Sequence, residues 1–416
     1  MNIRNLFGDK TFYRTLLAVT LPLVVQQLIT TSVQLVDNIM VGTLGESAIG
    51  SVAVVNQFYF VVILVTFGVL SGAGIYSAQY FGSGDHDKLK ETFRFKLLAA
   101  TFVGALSFVV FTLFAQPLIA LFTDSEETLQ GGLDYIRIIR FAIFPWVLAV
   151  AISNTFRETG VTKPLLWISV VAILTNTGLN FVLIFGLFGF PAMGIIGAAI
   201  ATLIARIVEF ALSVVLLVRR GHIFSTRLSR LFSISPAMLK GIMLMALPLT
   251  LNEGLWSLGQ TVFLQSYSTR GENALAAMTM TNAISQIVFV TFGALATGVA
   301  VMVGNTLGRN ALDEARENAR KLMATSVMFA AAMGLVLFVL SFFVVDLYDV
   351  ADATKRMAGF NIRVNAMFIP VYTFNVVLYF TLRSGGDMRS TLMMDSGYMW
   401  AVAVPTAFAL AHLTAL

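Results

Sequence analysis

Two carboxylates stand inside otherwise apolar stretches: Asp37 in TTSVQLVDNIMVG and Glu253 in LPLTLNEGLWSLGQ. An acid held in hydrocarbon costs about 2.5–3.5 kcal/mol on insertion scales, so its presence points to a role in binding or moving ions. Burial favours the neutral, protonated carboxyl, and a nearby cation favours the ionised one. Such a group can therefore exchange a proton for another cation. Asn176 and Asn180 are four residues apart, which puts both amides on one helix face. Their carbonyl oxygens could coordinate a hard cation or bond to Asp37; interhelical hydrogen bonding is the other reading. Thr202 adds an oxygen within GIIGAAIATLIAR, a small-residue face suited to close helix packing. Asp395 lies nearer the end of its apolar segment, Asp346 and Asp349 read as interfacial, and Glu209 reads as a local ion pair with Arg206.

Other chemistries lack their residues. There is no cysteine, and the three histidines (His86, His222, His412) are far apart. No phosphate-cradling glycine loop, Ser/His/Asp set or zinc-ligand spacing occurs. The expectation is a non-enzyme with no cofactor, using H⁺ or Na⁺ as a coupling ion.

The elements that hold these residues are membrane helices. Of 416 residues, 57% are hydrophobic and only 12% charged, where a soluble domain carries roughly 25% charged. Mean hydropathy is +0.84. Eleven apolar stretches reach the roughly 20 residues a membrane helix needs: 15–42, 52–80, 96–122, 134–156, 164–187, 192–218, 241–266, 275–304, 322–347, 358–382 and 391–415. With a cytoplasmic N-terminus, twenty of the 27 Lys+Arg fall in cytoplasmic segments, and only Arg270, Lys355 and Arg356 in opposite-side loops. Basic residues are retained on the cytoplasmic side, so this bias predicts a multi-pass protein of the cell membrane with that orientation. The net charge of +5 is then a topology signal, and no nucleic-acid partner is expected. The first residues run straight into a long span with no small-residue cleavage site, so no removable signal peptide is expected.

The two halves repeat at an offset of 226 residues. LPL at 21–23 recurs at 247–249, and Gly72 matches Gly298, Arg137 matches Arg363, Arg157 matches Arg383 and Gly160 matches Gly386. Six spans per copy make a parallel repeat about an axis along the membrane normal, an architecture used by carriers that rock one half against the other. The predicted domains are 1–218 (spans one to six), a cytoplasmic linker at 219–240, and 241–416 (spans seven to eleven). The repeat also predicts a twelfth helix after Leu416. Pro22 and Pro248 occupy matching places and should kink spans one and seven, as bending elements for the helices that carry the two acids. An adaptable substrate cavity is expected along Phe60, Trp256, Met278, Asn282 and Gln286.

The chain resembles the multidrug and toxic compound extrusion (MATE) transporters over essentially its whole length. The resemblance rests on LPL with a downstream acid (Leu21 to Asp37), DNIMVGTLGESAIG at 37–50, YFGSGD at 80–85, RETGVTKP at 157–164, the long run NTGLNFVLIFGLFGFPAMGIIGAAIATLIAR at 176–206, and VGNTLGRN at 303–310. It implies an all-α integral membrane fold of two six-helix lobes around a central cavity. It also implies exchange of drugs or metabolites for H⁺ or Na⁺, with Asp37, Asn176, Asn180, Thr202 and Asn154 as the cation-coupling network. Family members often carry an Asp where this chain has Asn180, which removes one charge. Glu253 matches a second-lobe acid, but its usual acidic partner on span ten is absent, leaving Asn365 and Asn375.

Three rival readings are a lipid-linked oligosaccharide flippase of the same superfamily, a membrane enzyme acting on lipid, and a channel. The shortage of mid-span Arg and Lys, the lack of a catalytic constellation and the parallel repeat argue against them in turn. The expected partners are a small-molecule substrate and the bilayer, with the protein acting as a monomer.

Overall fold

The computed structural model describes residues 7–123, 125–219, 223–268, 272–347 and 351–413. The described residues are helical nearly throughout, and each of the eleven apolar stretches falls mostly on helix over its described residues. In chain order these are α1 (Lys10–Gly42), α2 (Glu46–Ser83), α3 (His86–Leu113), α4 (Ala115–Ala120), α5 (Glu126–Glu158), α6 (Lys163–Phe185), α7 (Gly194–Arg219), α8 (Pro236–Ser268), α9 (Glu272–Gly308), α10 (Leu312–Val344), α11 (Asp352–Ser384), α12 (Met388–Leu392) and α13 (Val404–Leu413). Eight of them are long and apolar enough to cross a membrane by length and composition among the described residues. The third predicted span is not continuous: it breaks at Phe114 between α3 and α4. The last one is wound as π-helix over Met393–Gly397 and Met399–Ala403.

The 226-residue repeat is written into the backbone. At the end of α2, Gly84 takes a left-handed φ of 75°. Its N–H donates to Phe81 O (3.2 Å), and that of Asp85 donates to Tyr80 O (3.0 Å). One repeat later, Asn310 takes φ 59°, with Asn310 N–H on Leu307 O (2.9 Å) and Ala311 N–H on Thr306 O (3.3 Å). Gly160 (φ 77°) and Gly386 (φ 85°) close α5 and α11 in the same way, each donating to the carbonyl of its arginine three residues back, Arg157 or Arg383. Glycine and asparagine suit these caps because most other side chains clash in the left-handed region.

The chain forms two compact units: Val25–Leu247, and Pro248–Leu416 together with Met1–Val24. The division falls inside α1 and α8, close to Pro22 and Pro248. These units differ from the sequence-repeat halves by an exchange of half-helices. In the unit that includes Met1–Val24, Thr20 of α1 lies against Gly298 of α9. In the Val25–Leu247 unit, Ala246 of α8 lies so close to α2 that a Cβ on Gly72 would stand 2.6 Å from the Ala246 backbone. Thr20 and Ala246 are one repeat apart, as are Gly72 and Gly298. The repeated spacing of these glycines thus marks where each half-helix packs.

Both cores are built from interlocked apolar helix faces. In the Val25–Leu247 unit, Val55 and Leu70 of α2 meet Ile136, Ile143 and Val147 of α5 and Ala199 of α7. A Cβ on Gly197 of α7 would lie 2.7 Å from the Leu183 carbonyl of α6, so the GIIGAAIAT face does seat close helix packing. In the other unit Phe292 of α9, Ala330 and Leu337 of α10, and Ile362, Ala366 and Ile369 of α11 play the same part. The described part of the expected linker is not loose. Phe224 is fully buried, its ring against Phe93 and Phe156 at 5.0 Å each. Arg94 Nε donates to Thr226 Oγ1 (2.9 Å) and its Nη1 to Ser233 O (2.8 Å).

Candidate functional site

In the Val25–Leu247 unit the second half of α1 presents Asp37 to α6. Asn180 Nδ2 donates to Asp37 Oδ1 at 2.9 Å. With the Asn176 amide oriented to satisfy its neighbours, its Nδ2 donates to Asp37 Oδ2 at 2.7 Å and its oxygen accepts from the Thr202 N–H at 3.3 Å. Both carboxylate oxygens thus face amide donors. Asn180 Oδ1 and Thr177 Oγ1, a turn apart on α6, are buried with no hydrogen bond among the described residues. Helix α7 also carries Arg206, ion-paired to Glu209 at 2.8 Å as its i,i+3 spacing suggests. Tyr59 of α2 and Tyr135 of α5 lie within electrostatic reach of Arg206, and Tyr135 of Asp37 as well. Asp37, Asn176, Asn180 and Thr202 are therefore brought together. Asn154 is placed otherwise: its Oδ1 accepts from Arg157 Nη1 at 3.4 Å on α5 itself.

The second acid has a different setting. Glu253 of α8 lies 3.7 Å from Arg383, whose side chain is 5% exposed. Its neighbour Asn252 is a hub. Asn252 Nδ2 donates to Asp395 Oδ2 (2.7 Å) and to Tyr379 Oη (3.3 Å), and Ser396 Oγ donates to Asn252 Oδ1 (2.7 Å). Asp395 and Ser396 sit in the π-wound stretch, a distortion that often accompanies functional sites. The hub has a counterpart one repeat earlier, where Gln26 Nε2 donates to Ser169 Oγ at 2.6 Å. From sequence, Asp395 reads as nearer the end of its segment and Arg383 only as the repeat match of Arg157, and Tyr379 is not singled out. Helix α11 contributes Tyr379 from span ten and Arg383 just past its end; Asn365 instead donates to Ser285 Oγ at 3.4 Å, and Asn375 is exposed.

A third charged cluster was hidden among residues counted as cytoplasmic. Lys96 of α3 is completely buried and paired with Glu158 at the end of α5, with Thr155 Oγ1 3.3 Å from its ammonium. Gly74 leaves room for the carboxylate, since a Cβ there would stand 2.5 Å from Glu158 Oε1. The residues expected to line a substrate cavity are divided between the units. Phe60 of α2, 40% exposed, belongs to Val25–Leu247, whereas Trp256 of α8 and Met278, Asn282 and Gln286 of α9 belong to the other unit, with Asn282 and Gln286 exposed.

An all-helical, multi-pass fold duplicated in parallel, with polar clusters built around intramembrane acids, defines a membrane carrier. The profile of the MatE family matches residues 22–182 and again 248–408, two segments one repeat apart. The chain belongs to this family of multidrug efflux transporters. It is 25% identical over 407 residues to the "probable multidrug resistance protein YoeA" of Bacillus subtilis, covering 97% of this chain and 88% of that one. It is 26% identical to the "multidrug resistance protein PmpM" of Pseudomonas aeruginosa, covering 95% and 83%. Among solved structures, an outward-facing multidrug resistance MATE transporter superposes with a TM-score of 0.88 at 20% identity, covering all of this chain and 91% of the other. A MOP superfamily transporter from Pyrococcus furiosus superposes with a TM-score of 0.87 at 19% identity, over 99% and 90%.

Proposed function

We propose that this chain exports organic, cationic or amphipathic compounds across the cell membrane by antiport with H⁺ or Na⁺, working as a monomer with its N-terminus in the cytoplasm. The observation that carries this reading is Asp37, an acid held by the two α6 amides on a helix whose other half packs in the other unit. Asn180 Oδ1 and the Thr202 hydroxyl are hard oxygens of the kind Na⁺ takes beside the carboxylate. A proton on Asp37 Oδ2 would face the Asn176 N–H₂, so the amide turns and presents its oxygen instead. In that orientation Asn176 Nδ2 meets Thr202 Oγ1 at 3.4 Å. Cation binding thereby changes what α6 and α7 hold against α1.

Asp37 lies fifteen residues past Pro22, roughly 22 Å along an ideal helix. Pro22 removes a backbone hydrogen bond, so α1 bends there at low cost. Only a difference in cation affinity between the two shapes of α1 can drive the cycle, and the exchange of amide partners at Asp37 provides one. The test is efflux of a cationic dye from proteoliposomes under an imposed pH gradient and, separately, a Na⁺ gradient. Asp37→Asn, a permanent mimic of the protonated acid, should retain dye binding and lose gradient-driven transport. Wild-type rates for Asp37→Asn under both gradients would refute the assignment and make Glu253 the next residue to test.

A further inference from the structure

A cavity of about 420 Å³ opens among α3, α4 and α5, lined by Phe111, Thr112, Gln116, Ile136, Arg137 and Arg140 among others. Its cationic wall is built. The Arg140 guanidinium lies over the rings of Phe108 (5.5 Å) and Phe141 (5.2 Å), and Nη1 donates to Thr112 Oγ1 at 3.2 Å. Arg140 Nε is buried with no hydrogen-bond partner among the described residues. Arg137 is paired with Asp134 at 3.0 Å, but both side chains are exposed, and an exposed pair is easily exchanged for another anion. Counting Asp134, the cavity wall keeps an excess of positive charge.

Position and surroundings identify the ligand. Arg140 is seventeen residues from Arg157 on α5, about 25 Å along an ideal helix. That is close to the roughly 30 Å thickness of the hydrocarbon core. On the topology proposed above, which puts Arg157 at the cytoplasmic face, Arg140 would stand near headgroup level on the other side. Leu113, Phe114, Leu121 and Phe122 are 67%, 53%, 76% and 55% exposed around the helix break, forming an apolar collar beside the charges. The fold does not require this polar cradle. One repeat later, Thr112, Gln116 and Arg140 are replaced by Phe338, Phe342 and Ala366; the two rings pack edge to face at 5.7 Å, and Arg363, the match of Arg137, lies over Phe342.

We propose that this cavity binds the phosphodiester headgroup of an anionic phospholipid, with Arg140 and Arg137 on the phosphate and the acyl chains along the apolar collar. A planar guanidinium offers paired N–H donors that match phosphate oxygens, and basic pockets between membrane helices suit lipid headgroups. Native mass spectrometry of the purified protein, titrated with dioctanoyl phosphatidylglycerol, dioctanoyl phosphatidylcholine or inorganic phosphate, tests it. Phosphatidylglycerol should bind saturably, and Arg140→Gln should weaken it by about tenfold or more. Thr112→Glu, at an exposed position that does not threaten folding, should do the same by repulsion, while Arg363→Gln leaves binding unchanged. Equal binding of phosphatidylglycerol by wild type, Arg140→Gln and Thr112→Glu would overturn the site. Inorganic phosphate binding as tightly as the lipid would overturn the lipid as its occupant.

Discussion

Replacing Lys96 and Glu158 tests how this protein tolerates charge in its interior. In the other unit the matching positions are Leu322, fully buried, and Ser384, whose Oγ lies 3.5 Å from the Ala300 carbonyl. Lys96→Leu with Glu158→Ser therefore copies a solution the same fold already uses. Each single change strands one ion. Breaking a buried pair costs about 3–5 kcal/mol, whereas replacing both partners with groups that pack is neutral or stabilising. The two singles should not be equal. Lys96→Leu leaves Glu158, 15% exposed, beside Arg157 and should fall near 3 kcal/mol. Glu158→Ser leaves a wholly buried ammonium with Thr155 and should fall near 5 kcal/mol. The double variant should lie within about 1 kcal/mol of wild type, a coupling of several kcal/mol. Denaturant titration in detergent, followed by near-ultraviolet circular dichroism, reads all four proteins. Additive losses in the double variant, or a larger loss for Lys96→Leu than for Glu158→Ser, would refute the reasoning.

Two further changes probe the helix junctions. Gly72→Ala should destabilise more than Gly298→Ala in the same titration, because the new methyl meets Ala246 backbone in the first case and the Thr20 side-chain methyl in the second; backbone cannot move aside as a side chain can. Asp85 caps α3 by accepting from the Lys88 N–H at 3.1 Å, and that bond, with the Lys88 ammonium, holds its carboxyl below the ordinary range. Because the folded value is depressed, the cap's contribution is present above the unfolded value and disappears as pH falls through the folded one. Asp85→Ala should cost about 1 kcal/mol at neutral pH, and its stability curve should converge on that of wild type below about pH 4.

The helices were legible because membrane spans announce themselves by length and apolarity, and the repeat was legible because glycine and arginine recur at one offset. The grouping of Asp37 with Asn176, Asn180 and Thr202 came from amide spacing on one helix face and from family resemblance. What escaped follows from two physical facts. The first is that helices such as α5, with 33 residues, extend beyond the predicted span, so Lys96, counted as a cytoplasmic charge, and its partner Glu158 lie largely inside protein. The second is that polar contacts such as Asn252 with Asp395 join residues 143 apart, a separation that no local pattern encodes. The π-wound turn that carries Asp395 likewise has no signature in MMDSGYMWAVA.

The exchange of half-helices sets an order for biogenesis. Val25–Leu247 is a contiguous stretch, complete once Leu247 has left the ribosome and entered the bilayer. The other unit is discontiguous. Its first element, the opening half of α1, is synthesised long before α9 supplies Val299 and Val303, the residues with which Phe12 and Leu16 cluster. Domains generally fold as units during synthesis, and contacts closing such long loops form late. Helix α1 thus carries an unpaired first half until α9 is made, and a chain cut within 223–240 would yield two fragments, each missing half a helix that the other holds.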